Sequence, residues 1–295
     1  KSEGDPINAG LIIVDEVSML DLETASYLFA AVKNGTILIL CGDDNQLESV
    51  GYGKVLADLI DCGKVEVYRL YQIMRQSGTI CENASAILKG ITNIKTDKTF
   101  SLSHYSSDKE AVEAMMQNLI YRQSFVLSPI KNKDVSGVYA LNKKIQGSVS
   151  DLSYCFSHNK ERYHIGDRII MTQTNYEQGY FNGDIGTISS YCDGIATVIF
   201  FDKILTLSRD DFSNMQLAYS ITVHKSQGSE IEDVHIVLPD SCKNMLTRRI
   251  VYTAITRAKS HVYIYSVGNA FEYAVKNKAE HQRQSNLVYR ITGNR

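Results

Sequence analysis

The chain has 295 residues, of which 44% are apolar and 22% charged, with 3 Pro, 6 Cys and a formal net charge of −2. At roughly 100 to 200 residues per domain, this is enough for about two domains with their own cores, and the composition excludes disordered, collagen-like and disulfide-scaffold classes. The longest aliphatic runs, such as Leu11 to Val14 and Ile37 to Leu40, are four residues long, against the roughly 20 that cross a bilayer, so no membrane-spanning helix is expected.

The run LIIVDE places two acids, Asp15 and Glu16, directly after an aliphatic stretch, the pattern of a buried parallel strand whose C-terminal end presents carboxylates. A helix follows, with Leu22, Ala25, Leu28, Phe29 and Val32 on one face, and then a second aliphatic strand, Ile37 to Leu40, ending at Cys41-Gly42-Asp43. Strand, helix and strand with functional groups at the tips predict a doubly wound α/β domain. Residues 55 to 62 read as a short helix closed by Gly63, and Val65 to Leu70 as a further strand. From 78 to 120 the pattern is polar and partly helical, with Val112, Met115, Leu119 and Ile120 as one apolar stripe, which predicts connector helices. SFVLSP then reads as a strand and GVYALNKKIQ as a helix.

Between 151 and 212 the texture changes to short alternating segments, RIIMTQT, IGTISSY, IATVIFF and KILTLS, separated by Asn182-Gly183 and Asp193-Gly194 turns. This predicts a small antiparallel barrel inserted in a second α/β domain. Beyond it, AYSITVHKSQGSE, the strand VHIVL, the helix RRIVYTAITRAKS and the strand HVYIYS restore α/β order.

Residues 1 to 120 carry 10 Lys/Arg against 17 Asp/Glu, a balance of −7, whereas 121 to 295 carry 21 against 16, a balance of +5. The second half suits contact with a polyanion. Lys243, Arg248, Arg249, Arg257 and Lys259 fall within 17 residues that contain no acid; a solvated helix face explains such a cluster equally well. The scattered cysteines include no CxxC pair, which argues against a zinc knuckle and a secreted disulfide framework and points to a reducing cytoplasm. KSEGDPINAG lacks the apolar core of a signal peptide, and a start without Met is read as the remainder of a longer chain.

An acidic pair after a strand can hold Mg²⁺ and orient an attacking water, although a lone DE pair is more often a strand-end turn. The neighbouring tip, GDDNQL, brings the amide of Gln46 toward the same crevice. Arg75 in YQIMRQ and Arg257 in YTAITRAK come from different halves of the chain, as arginines donated across a cleft would; either one singly reads as a surface ion pair. Thr222 to Glu230 packs hydroxyls, an imidazole, an amide, a glycine and an acid into nine residues, a density that suits a hinge touching phosphate on one side and a nucleic-acid strand on the other.

LIIVDEVSM, CGDDNQLESVGYG, LYQIMRQ, AYSITVHKSQGSE and VYTAITRAK, in that order across residues 11 to 259, resemble the motifs of superfamily 1 helicases, most closely the RecD-like branch that includes the exodeoxyribonuclease V alpha subunit and relaxase-linked helicases. YHIGDRIIMTQTNYEQGYFNGDIGTI resembles the SH3-like insert of that branch. The resemblance implies an α/β fold of two RecA-like P-loop NTPase domains, the first truncated: residues 1–77 in the first, 78–120 as a helical connector, 121–150 and 213–295 in the second, and 151–212 as the barrel. It implies Asp15 as the acid linked to Mg²⁺, directly or through water, Glu16 as the catalytic base, Gln46 as the γ-phosphate sensor, and Arg75 and Arg257 as two arginine fingers. Gly228 would lie near the γ-phosphate, Glu230 near the ribose, and Thr222, His224 and Lys225 on single-stranded DNA. The implied activity is ATP-driven stepping along one DNA strand, in this branch typically 5′ to 3′, in repair or recombination, with helicase–nuclease subunits as partners.

One element of the family pattern does not occur in the 295 residues: GxxxxGK[ST], whose backbone amides and Lys cradle nucleotide phosphates. The nearest stretch, Gly51-Tyr52-Gly53-Lys54, has Glu48 and Val55 where the motif needs Gly and a hydroxyl. The chain by itself is therefore expected to lack ATPase activity. The alternative is a non-hydrolysing nucleic-acid-binding or partner-docking module of helicase architecture.

Overall fold

Two short parallel strands, β1 (Leu11–Val14) and β2 (Ile37–Leu40), open the fold, joined by helix α1 (Leu22–Ala31) in a strand–helix–strand unit. The structure is a computed structural model that describes residues 5–70, 78–120, 124–149, 154–278 and 285–293. Asp21 caps α1 by accepting a 2.8 Å bond from the Thr24 amide, which satisfies one of the helix's free N–H groups. The aliphatic run predicts buried strands, yet Leu11, Ile13, Ile37 and Ile39 are exposed, and so are Leu22 and Phe29 on the expected inner face of α1. The cause is geometric: among the described residues this sheet has two strands, so alternate side chains meet no covering layer.

Helix α2 (Val55–Asp61) follows, as expected. Val65 to Leu70, expected as a strand, form no ladder, and Val65, Val67, Tyr68 and Leu70 are all exposed. The stretch 78–120, expected as a helical connector, contains α3 (Thr79–Leu88) and α4 (Asp108–Asn118) but also β3 (Phe100–Tyr105), an edge strand of the main sheet. Its half-polar sequence, FSLSHY, fits an edge position covered unevenly on its two faces.

The main sheet is parallel throughout. Beside β3 it contains β4 (Ser124–Ser128), which leads into α5 (Val138–Gln146). The excursion between α5 and the sheet's return holds the hairpin β5 (Tyr154–His158) and β6 (Glu161–His164). It then forms an antiparallel sheet of β7 (Arg168–Met171), β8 (Ile185–Cys192), β9 (Ile195–Phe200), β10 (Ile204–Leu207) and β11 (Met215–Leu217). Because β11 pairs with β7, this sheet runs beyond the boundary at 212 that the turn pattern suggests. Asp193 and Gly194, both at positive φ, make the β8–β9 turn, as an Asp-Gly pair between alternating segments should.

β12 (Ser220–Thr222) and β13 (Ile231–Leu238) return the chain to the parallel sheet. α6 (Arg248–Ile255), β14 (Ala258–Val267), α7 (Ala270–Lys276) and α8 (Leu287–Thr292) complete it. The helix expected to reach Ser260 ends at Ile255, because Ala258 already pairs with Ile231 in the sheet. The strand order is β12-β4-β13-β14-β3, and successive side chains serve opposite faces. Leu127, Ile236 and Ile264 pack with Ile87 of α3, Ile250 and Ile255 of α6 and Phe271 of α7. Val126, Val237 and Tyr265 pack with Val112 of α4 and Leu141 of α5, in a core that continues into Ile169, Ile188 and Val198 of the antiparallel sheet. Each large apolar side chain so buried contributes roughly 1.5–3 kcal/mol.

Asp167, fully buried, ties these parts together. It accepts from Tyr219 Oη at 2.7 Å, Gln146 Nε2 at 2.6 Å and the His164 amide at 2.8 Å, thereby linking α5, the β6–β7 turn and the segment that enters β12. Hydrogen bonds to a charged group contribute about 1.5–3 kcal/mol each.

His235 lies within β13 at 1% exposure, stacked 4.6 Å from the Tyr263 ring, with Nδ1 3.1 Å from Tyr265 Oη. Burial pushes its pKa down from 6.5 to about 4. The folded state therefore holds fewer protons than the unfolded chain between those values, and stability falls as pH drops through that window, by up to about 3 kcal/mol. Urea unfolding of wild type and His235→Phe at pH 7 and pH 4.5 should show a loss about 2 kcal/mol smaller in the variant; equal losses would contradict a buried neutral imidazole.

Candidate functional site

The tips of β1 and β2 are stitched together by two backbone bonds, Cys41 N to Val14 O at 2.8 Å and Val17 N to Cys41 O at 2.9 Å. They hold Asp15 and Glu16 beside the loop that starts at Asp43. Glu16 adopts a left-handed conformation, φ 53° and ψ 40°, which is uncommon for a residue with a side chain and typical of functional turns. The turn is held by Asp15 Oδ1, which accepts from the Glu16 amide at 2.8 Å.

Across the gap, Arg257 follows α6 at 1% exposure. Its guanidinium donates to the carbonyls of Thr253 and Ser229 at 3.3 and 3.5 Å, and Nη1 lies 4.0 Å from Glu16 Oε1. A buried guanidinium requires such acceptors, because it cannot lose its proton. Two of the sequence-predicted catalytic groups thus meet, one from each sheet.

Gln46 is 9% exposed; Nε2 lies 3.5 Å from Asp43 Oδ2, and Oε1 is buried without a hydrogen-bond partner. Ser18 Oγ is in the same state, and both residues line a cleft with Asp43, Lys54 and Arg249. Unpaired buried acceptors are costly in a finished fold. Gln46 Oε1 and Ser18 Oγ are groups that a bound phosphate or its water could satisfy; Asp15 and Glu16 are not among the residues that line this cleft. The phosphate-cradling loop is not among these groups: Lys54 instead pairs with the buried Asp58 at 3.7 Å.

Gly228 is exposed at φ +75°, next to Ser229, whose carbonyl accepts from Arg257. Glu230 forms a 2.7 Å ion pair with Lys259. Arg75 lies outside the described residues.

Thr222, His224 and Lys225 gather at a second place, the C-terminal end of β12. Thr222 Oγ1 accepts from the Lys225 amide at 3.2 Å, at the start of the turn His224–Ser226. Lys225 lines a pocket with Thr222, Lys131, Tyr139 and Gln216, and its Nζ lies 3.4 Å from Gln216 Oε1. Burial and the nearby charge of the exposed Lys131 both lower its pKa, and an anion bound beside the two lysines would favour the charged form. Lys131 and Tyr139 were not evident from the sequence. Lys131 depends on Gly137, where a Cβ would lie 2.4 Å from the Lys133 amide and 2.8 Å from the Lys131 carbonyl; only glycine allows this loop to lie on α5.

Residues that bridge the two sheets were also missed, although they sit inside the quoted motifs. Gln227 Nε2 donates to Leu47 O at 2.7 Å, and Leu47 N donates to Thr253 Oγ1 at 3.0 Å, both buried. Nothing in the local pattern distinguishes these side chains from ordinary helix and loop residues.

Residues 5–110 match the model of an AAA domain, and residues 217–265 that of the UvrD-like helicase C-terminal domain. The ATP-dependent RecD2 DNA helicase of Deinococcus radiodurans is 31% identical over 292 residues, which cover 97% of this chain and 40% of that protein. The RecBCD enzyme subunit RecD of Mycolicibacterium smegmatis is 28% identical, with 91% of this chain and 52% of that protein covered. The chain thus spans about half the length of these relatives or less. In fold it resembles a Pif1 helicase from Bacteroides solved with ADP-AlF3 and single-stranded DNA, with a TM-score of 0.59 and 16% identity, covering 93% of this chain and 73% of that one. A Pif1 helicase from Candida albicans gives a TM-score of 0.51 at 17% identity, with 96% and 76% covered. By sequence, the chain is similar to the RecD-type helicases over nearly its whole length.

Proposed function

We propose that the chain is the C-terminal portion of an ATP-dependent DNA helicase that steps along single-stranded DNA, 5′ to 3′, with ATP hydrolysed between two RecA-like lobes. The observation that carries this reading is the meeting of Arg257 with Glu16 at 4.0 Å across two separate sheets. In this reading residues 1–77 belong to the first lobe, 121–150 and 213–295 to the second, and 151–212 to an SH3-like insert; 78–120 joins the second lobe through β3.

Bound Mg²⁺–ATP supplies the transferable phosphoryl group, with the metal offsetting its charge. Asp15 would hold the metal, directly or through water. Glu16 orients the attacking water and takes its proton, and the left-handed turn holds the carboxylate in place. Gln46 offers its amide to the terminal phosphate or the water. Arg257, and Arg75 from outside the described residues, stabilise the charge that develops on transfer. Gly228 and Glu230 border the nucleotide, while Thr222, His224, Lys225 and Lys131 hold the strand by its backbone, so sequence preference is slight. The DNA partner is a single strand or a duplex with a single-stranded end, and helicase–nuclease subunits are the protein partners this reading supports.

The phosphate cradle would come from sequence outside these 295 residues. ATP turnover by the 295-residue chain alone is therefore expected at background; robust DNA-stimulated hydrolysis would contradict this. In the longer protein, Glu16→Gln and Arg257→Ala should each lower DNA-stimulated kcat by roughly 10³-fold or more, whereas turnover within tenfold of wild type would remove those roles. The second reading is a non-hydrolysing nucleic-acid-binding or partner-docking module of helicase architecture, in keeping with the engagement of Lys54, in the Gly51–Lys54 stretch, by Asp58.

The cationic pocket gives a separate test. Lys131→Ala and Lys225→Ala should each weaken binding of an oligothymidylate and reduce the slope of log K against log salt by about 0.7, read by fluorescence anisotropy across a salt series. Unchanged slopes would place the strand elsewhere.

A further inference from the structure

The loop that carries Gln46 is gripped by one face of α6. Arg249, Tyr252 and Thr253 are spaced i, i+3 and i+4, so their side chains lie together on that helix. Tyr252, 8% exposed, donates from Oη to Asp43 Oδ2 at 2.8 Å. The same oxygen lies 3.5 Å from Gln46 Nε2, and the other, Oδ1, accepts from the Asn45 amide and side chain at 2.9 and 3.2 Å. Arg249 Nη1 meets Glu48 Oε1 at 2.9 Å, with both side chains about one-fifth exposed. Thr253 and Gln227 take the amide and carbonyl of Leu47 between them. Residues 43 to 48 of the first lobe are thus held at four points by the second, and Arg257 begins one residue after the last turn of that same helix.

We propose that Tyr252 and Arg249 are positioning residues. They clasp the 43–48 loop to α6, so that Gln46 and Arg257 approach and leave the nucleotide as one unit. Asp43 is the shared node: its Oδ2 faces both the Gln46 amide and the Tyr252 hydroxyl, so loss of the hydroxyl frees the carboxylate to turn and draws the amide with it. Glu48–Arg249 acts in parallel at the other end of the loop and is screened little, being partly buried. Both residues act through Gln46 and Arg257, although Arg249 also borders the cleft that Gln46 lines. Their contribution is to the geometry of those two groups, and misplacement by about 1 Å in such groups costs on the order of 10²-fold in rate.

The hydrolytic consequence rests on the helicase reading; the clasp itself does not, and the test separates them. Hydrogen exchange of the 295-residue chain should quicken about fivefold across residues 43–49 in Tyr252→Phe and in Arg249→Ala, without a matching change in β13. Glu48→Arg should behave likewise, and Glu48→Arg combined with Arg249→Glu should return exchange toward the wild-type rate. Unchanged exchange in the single variants, or no recovery in the charge swap, overturns the clasp. In the longer ATP-hydrolysing protein, Tyr252→Phe should lower kcat about tenfold with KM for ATP within twofold. An unaltered kcat, or a loss confined to KM, overturns the positioning role. If that wild-type protein hydrolyses no ATP, the helicase reading fails, while the exchange arm still decides the clasp.

Discussion

The arrangement depends on a single buried positive charge. Arg257 is 1% exposed, and a guanidinium in that setting must have its field answered by acceptors on every side. Its own lobe supplies the Thr253 and Ser229 carbonyls; the other lobe supplies Glu16, held toward the gap by a left-handed backbone turn. The interaction is long, 4.0 Å, so Glu16 is the most distant of these three acceptors. A charged group of one lobe that reaches the acid of the other gives the gap its chemical meaning.

The parallel sheet makes that reach possible. Its central strands are buried on both faces, and α6, the helix just before Arg257, packs its Ile250, Val251 and Ile255 directly on them. The guanidinium is therefore mounted on a rigid layer. The part that carries Glu16 is built differently: among the described residues it has two strands with outward aliphatic side chains and a loop hydrogen-bonded to α6. One side of the gap is fixed by packing and the other by a few polar contacts, and polar contacts are what a bound nucleotide can exchange.

Much of this was legible in the residues. The carboxylates after β1 and the amide after β2 follow from strand-tip logic, and β4, β9, β10 and β13 from unbroken or alternating apolar runs; the sequence singles out Arg257 as an arginine from the other half of the chain but puts it inside a helix, whereas it lies beyond the end of α6. Val65 to Leu70 shows the limit: its alternation satisfies the strand pattern, yet a strand also needs a partner, and pattern alone carries no information about one. β3 fails in the opposite sense, since its partner β14 stabilises a sequence too polar to announce itself. The bridging residues Gln227, Tyr252 and Thr253 are separated from their contacts by about two hundred positions; no local period encodes such a pairing. The Lys131–Lys225 pocket is likewise assembled from two remote loops.

The most direct measurement of the central claim is a crystal structure of the longer protein with Mg²⁺, ADP and a metal-fluoride mimic of the transferred phosphoryl group. The account expects Gln46 and Arg257 both within hydrogen-bond distance of that one mimic, with Glu16 released from Arg257 and facing the attacking water. A mimic bound with Arg257 still directed at Glu16, or lying against one lobe alone, would contradict it.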